Sequence, residues 1–177
     1  MDDKDFEIFI KNRNIKKKAK LLAKQIDEKY GNEEVVLVCV LKGAIMFYDL
    51  LLRYIKNKNV EIDFIEVKSY CGTTSTGKVK MLKDVSIEIK NKHLVLVEDI
   101  IDTGITADYL YKHYLQKNPK SILMCSLLQK PEKLMIDLKM ETIIGFNIEN
   151  KFVIGFGLDL DEKYRTLKDV LVLKENK

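Results

Sequence analysis

HLVLVEDIIDTGIT, His93 to Thr106, runs from an apolar, partly β-branched segment into three carboxylates, Glu98, Asp99 and Asp102, and then to Gly104. A continuous apolar run of this length suits a strand buried on both faces. Beyond the glycine, Ala107, Leu110, Tyr111, Tyr114 and Leu115 share one helical face, so a helix begins just after Gly104. The acids therefore stand at the carboxyl end of a strand. There they repel one another and lose solvation, which calls for compensation from outside the motif.

The same grammar repeats on either side. VVLVCVL, Val35–Leu41, is a second buried strand, and a helix over Ala44–Ile55 follows it. Upstream, the segment after Asn14 puts Ile15, Ala19, Leu22, Ile26 and Tyr30 on one helical face and stops at Gly31. Further strands are expected at Ile62–Val67, Val85–Ile89, SILMCSLL from Ser121, Thr142–Phe146, Phe152–Phe156 and Val170–Leu173, the last closing the sheet. Strands alternating with helices imply an α/β fold with a mostly parallel, twisted sheet flanked by helices. In such sheets ligands bind outside the carboxyl ends of the strands. Lys42-Gly43, the polar stretch from Ser69 and the segment Glu98 to Thr106 all fall on that edge.

Composition narrows the function. The chain has 177 residues, 46% hydrophobic and 33% charged, with two prolines and no repeat or linker-like tract, so one domain over 1–177 is expected. A net charge of +4 is too small to argue for nucleic acid. The acidic start, MDDKDFEIFI, is unlike a signal peptide, and no apolar run has membrane-spanning length. A cytoplasmic protein without membrane contact is expected. Cys39, Cys71 and Cys125 lack zinc or disulfide spacing and are read as reduced thiols.

At DTGIT, a turn entering a helix offers free backbone N–H groups and the positive end of the helix dipole, with hydroxyl donors from Thr103 and Thr106. That is a phosphate cradle. The carboxylates upstream repel phosphate, but they accept hydrogen bonds from sugar hydroxyls or face a metal ion. A phosphorylated sugar with Mg²⁺ satisfies both halves; a receiver-type phosphoacceptor site is the alternative that the motif alone leaves open.

VLVEDIIDTGIT resembles the phosphoribosyl pyrophosphate loop of the type I phosphoribosyltransferases. Other signatures follow in that family's order: LKGA, Leu41–Ala44; KSYCGTTSTG; LLQKP with Lys130; KFVIGFGLDLDEKYR; and LKDVLVL. Together they are similar to the hypoxanthine-guanine branch. The resemblance implies a small hood subdomain formed by the N-terminal segment and about 150–177, and a mobile lid loop at about 69–80. It implies salvage of hypoxanthine or guanine with phosphoribosyl pyrophosphate to give IMP or GMP and pyrophosphate, with Mg²⁺ as cofactor and a homodimer or homotetramer as the assembly.

Residue by residue, the resemblance makes Asp102 the catalytic group near N7 of the purine, as hydrogen-bond partner and general acid/base. Glu98 and Asp99 would hold the ribose hydroxyls beside Mg²⁺, and Thr103, Gly104, Ile105 and Thr106 the 5′-phosphate. Lys42, Gly43, Ser69, Tyr70 and Arg165 would meet pyrophosphate, with Ser69 and Tyr70 carried on the lid. Lys130, a pure donor, would select the O6 acceptor of a 6-oxopurine over the amino group of adenine. Phe152 would stack on the base, Val153 would offer it backbone, and Asp159 would join the base subsite as ligand of a second Mg²⁺. Within this family the turn at Lys42-Gly43 often holds a non-proline cis peptide. Ile105 departs from relatives with lysine there, a change expected to act on affinity more than on function. Two other readings share the pattern: a xanthine-preferring transferase, and a non-catalytic sensor of phosphoribosyl pyrophosphate, for whose effector module the enzyme pattern is expected to leave no room.

Overall fold

The computed structural model describes residues 5–69 and 79–174. Among them, strands β2 (Val35–Leu41), β3 (Val60–Ser69), β4 (Val79–Lys83), β5 (His93–Ile101), β6 (Ser121–Gln129) and β7 (Glu141–Asn147) form one sheet in the order β4-β3-β2-β5-β6-β7. All its pairings are parallel except β3 with β4. Helices α1 (Asn12–Tyr30) and α2 (Ile45–Leu52) cover one face, where Leu37, Cys39, Val95, Val97, Leu123 and Cys125 meet Ile15, Leu22, Ile26 and Phe47. Helix α3 (Ile105–Leu115) covers the other, where Val36, Val38, Leu94, Leu96 and Met124 meet Ala107, Leu110 and Tyr114. Successive strand residues thus go to opposite cores, as the pleat requires. This is why β2, β5 and β6 read as unbroken apolar runs rather than alternating ones.

A second, smaller sheet brings the chain's ends together. β1 (Phe6–Ile10) and β8 (Val153–Ile154) flank β9 (Val170–Leu173), both antiparallel to it. Val170–Leu173 therefore closes this hood sheet and not the main one. The expected strand Phe152–Phe156 shrinks to two residues because Gly155 and Phe156 turn into the left-handed region, at φ of 85° and 50°. The helix over Ala44–Ile55 is shorter than expected, Ile45–Leu52.

No strand forms at Val85–Ile89, because its amides are taken by carboxylates. Asp63 accepts from the backbone of Ser86 at 2.6 Å and of Ile87 at 3.1 Å, and from the Ser86 hydroxyl at 3.0 Å. Asp84 accepts from Val85 N–H, His113 Nε2, the Tyr114 hydroxyl and Lys117 Nζ at 2.6 to 3.0 Å, tying the exit of β4 to α3. Burial pushes the Asp84 carboxyl up, but these donors, Lys117 and His113 foremost, outweigh it and hold it down at about 2. A depressed folded pKa stabilises above the unfolded value and is lost as pH falls through the folded one, here between about 4 and 2. Asp84→Asn should therefore cost about 1 kcal/mol at neutral pH, discounted for partial exposure. In urea melts the gap between wild type and variant should narrow as pH falls below 4; a constant gap would refute the assignment.

Candidate active site

The chain leaves β2 toward β3 on one side and β5 toward β6 on the other, so the carboxyl ends of β2 and β5 diverge into a crevice. The turn after β2 borders it. Its Leu41–Lys42 bond is the cis one, preceding Lys42 rather than following it. A Cβ on Gly43 would stand 1.6 Å from Asp99 Oδ2, and one on Gly157, at φ 100°, would stand 1.9 Å from the Gly43 carbonyl oxygen. The Asp99 side chain thus packs onto the backbone of the turn at Gly43, while the hood meets the turn backbone to backbone at Gly157, which requires glycine.

The crevice opens into a cleft of about 430 Å³ whose lining includes Lys42, Gly43, Glu98, Asp99, Thr106, Asp159, Glu162 and Arg165. Arg165 Nη1 donates to the Gly157 carbonyl at 2.8 Å, while Nη2 pairs with Asp159 at 2.9 Å and Glu162 at 3.2 Å. Glu162 also pairs with Lys42 Nζ at 3.2 Å. A carboxylate therefore bridges the two cations expected to meet pyrophosphate. Burial pushes Glu98 well above the ordinary carboxylate range, with the charge of Asp99 adding to it. Asp99 is pushed up to about 6, burial again leading, offset by backbone N–H donors and by Arg165.

The second half of the site lies where β5 runs into α3. Gly104, at φ 84°, caps the helix in the left-handed region, and the N–H groups of the first turn lie outside the helix's own hydrogen bonds, that of Ile105 donating to the Thr103 hydroxyl at 3.5 Å. Lys130 follows β6, its N–H held by the Ile101 carbonyl at 3.0 Å, and its ammonium lies 3.4 Å from Asp102 Oδ1. That contact is close enough for charge attraction but lacks hydrogen-bond geometry, since Oδ1 is buried without a hydrogen-bond partner. Lys133 Nζ, on the short helical turn Pro131–Lys133, donates to Asp102 Oδ2 at 2.7 Å. Among the described residues, the buried side-chain atoms without partners are Asp102 Oδ1, Glu98 Oε2 and Arg165 Nε. Buried polar groups are normally satisfied, so three orphans on three expected site residues mark a place shaped for a ligand.

The structure brings the expected site residues together in two groups: Lys42, Gly43, Glu98, Asp99, Thr106, Asp159 and Arg165 line one cleft, and Asp102 adjoins Lys130. Phe152, exposed, and Val153, buried in β8, belong to the hood and do not line that cleft. Ser69 ends β3, paired with Val79; Tyr70 and the lid from 70 to 78 lie outside the described residues. Sequence reading passed over Glu162 and Lys133. Lys133 stands three residues from Lys130 and Glu162 three from Asp159, spacings that bring side chains together in any tight turn.

The phosphoribosyl transferase domain family matches residues 7–161. A hypoxanthine-guanine phosphoribosyltransferase of Streptococcus thermophilus is 41% identical over 99% of this chain and 97% of its own length. The crystal structure of a hypoxanthine-guanine phosphoribosyltransferase from Bacillus anthracis superposes with a TM-score of 0.89 at 42% identity, covering 95% of this chain and 98% of that one. The hypoxanthine phosphoribosyltransferase of Trypanosoma cruzi, solved with the product IMP, gives 0.87 at 38% identity over 98% and 97%. This chain belongs to the phosphoribosyltransferase family, on its hypoxanthine-guanine branch.

Proposed function

We propose that this enzyme transfers the phosphoribosyl group of phosphoribosyl pyrophosphate to N9 of hypoxanthine or guanine, with Mg²⁺ bound beside the substrate. The observation that carries the reading is the pair Lys130 and Asp102: a lysine only 7% exposed, its ammonium 3.4 Å from a buried carboxylate oxygen that has no hydrogen bond. A 6-oxopurine carries O6 and N7 on one edge, so one ligand engages both groups, O6 accepting from Lys130 and N7 meeting Asp102. Adenine would set its amino donors against a donor.

In the reaction the N9–C1′ bond forms and the C1′–oxygen bond to pyrophosphate breaks, the electron pair leaving with pyrophosphate. The imidazole proton of the base passes to Asp102. Positive charge develops at C1′ and negative charge on the leaving group, so catalysis lies mostly in orientation and in donors aimed at pyrophosphate. Lys42, the Gly43 backbone and Arg165 supply those donors, joined by Ser69 and Tyr70. Arg165 comes to the task with Nε free, and the bridge from Glu162 must open to admit the phosphates. Thr103 to Thr106 take the 5′-phosphate on amides and hydroxyls at the start of α3. Phe152 stacks on the base and Val153 gives it a backbone contact.

For Mg²⁺ the donors fit. Glu98, Asp99 and Asp159 face one cleft, and burial pushes the carboxyls of both Glu98 and Asp99 up. Among the described residues no three acidic, histidine or cysteine side chains make a self-sufficient metal cage. That suits an ion held by one or two carboxylates together with substrate oxygens. Bound there, it would neutralise charge on the diphosphate. Glu98 and Asp99 themselves accept from the ribose hydroxyls.

The test is direct. Purified protein with Mg²⁺ and phosphoribosyl pyrophosphate should form nucleotide with hypoxanthine and with guanine and none with adenine or uracil. Xanthine, run alongside, ranks the third 6-oxopurine. No product with any 6-oxopurine would overturn the proposal. The same reading carries a cytoplasmic location and a homodimer or homotetramer, the latter decided by light scattering.

A further inference from the structure

We infer that Lys133 is a positioning residue for Asp102: it holds one carboxylate oxygen so that the other, buried and idle, is presented to the base. The inference rests on the reading of Asp102 given above. A carboxylate rotates about its last torsion with little preference, so a half-exposed Asp102 needs an outside partner to fix its plane. Lys133 Nζ supplies one, at 2.7 Å from Oδ2. Lys130 stands at 3.4 Å from Oδ1 and makes no hydrogen bond to it. One oxygen is occupied and the other is left for a ligand.

The anchor is itself fixed. Lys133 N–H donates to the Lys130 carbonyl at 3.0 Å, and Met135 N–H donates to the Thr103 carbonyl at 3.0 Å. Leu134 and Leu138 lie against Gly104, where an added Cβ would meet them at 3.4 and 3.3 Å. The turn carrying Lys133 is thus strapped to the phosphate loop and to the residue that reads O6. Base, carboxylate and 5′-phosphate subsites share one support.

Division of labour follows from the two cations. Lys130 is buried and, once a base is bound, engaged with O6. Lys133 is then the cation still paired with Asp102, and it keeps the plane of the carboxylate turned toward the base. Among the described residues, Lys130 following β6 and Lys133 on the adjoining turn are the charged groups paired with Asp102.

The experiment compares Lys133→Met, Lys133→Gln and Lys133→Arg with Asp102→Asn in the full-length enzyme. In the first two, kcat should fall about tenfold, the scale of one charge-assisted hydrogen bond. KM for phosphoribosyl pyrophosphate should stay as it is, and Lys133→Arg should recover most of the loss. An unchanged kcat in Lys133→Met and Lys133→Gln, or an Arg variant as impaired as Met, would overturn the inference. If Asp102→Asn lowered kcat while both neutral variants left it intact, this inference alone would fall. If Asp102→Asn itself left kcat intact, the reading of Asp102 would fall with it.

Discussion

Asp102→Asn should lower kcat by about 10²-fold or more, the usual contribution of a positioned acid/base. The amide matches the carboxylate in shape, so the phosphate loop should keep its course from Asp102 to Thr106. What disappears is the oxygen that accepts the base proton, together with the charge facing Lys130 and Lys133. KM for phosphoribosyl pyrophosphate should change little, because Asp102 is not among the residues lining the cleft of Lys42 and Arg165. The melting temperature should fall modestly: Lys133 is 39% exposed and can turn to water, but the buried Lys130 loses the charge that faces it at 3.4 Å. Steady-state kinetics with hypoxanthine, set beside a thermal melt, checks both halves. A variant that turned over at the wild-type rate would remove Asp102 from the chemistry.

Strands β2, β5 and β6 were legible because they are apolar on both faces, a signal carried by each segment alone, whereas β4, VKMLK, with no buried residue, was not. Nor was β1. Of FEIFI only Phe6 and Ile10 are buried, and its partner β9 lies at the other end of the chain, so nothing local announces the pairing. Val85, Ile87 and Ile89 alternate as a strand would, yet the amides of Val85, Ser86 and Ile87 belong to Asp84 and Asp63. A side chain 23 residues upstream outcompetes a ladder that periodicity alone suggests. The site divides the same way. Residues contiguous in VEDIIDTGIT could be read as a unit, since strand end, glycine and helix start fix their relation. Contacts closed across the chain could not. Glu162 reaches Lys42 over 120 residues from a loop in which Asp161, Glu162 and Tyr164 all adopt positive φ. Such backbone follows from tertiary packing and leaves no trace in propensity.

Lys130→Met should raise KM for hypoxanthine by roughly 10- to 100-fold and leave KM for phosphoribosyl pyrophosphate nearly unchanged. The estimate comes from leaving the O6 acceptor buried against a thioether, about 1–3 kcal/mol, at about 1.4 kcal/mol per factor of ten. The asymmetry between substrates follows from geometry, because Lys130 sits beside Asp102 and is absent from the lining of the Lys42–Arg165 cleft. The variant should not melt earlier. Methionine nearly matches lysine in volume and needs no solvation, whereas Lys130, 7% exposed, gives up water for one imperfect partner. Asp102 keeps its hydrogen bond from Lys133, so no charge is stranded. Equal rises in both KM values would break the link between Lys130 and O6. A fall in melting temperature of several degrees would mean instead that the buried cation holds the fold and that base selection lies elsewhere. Higher KM for the base with an unshifted melt is the one combination that identifies Lys130 as the group reading the purine.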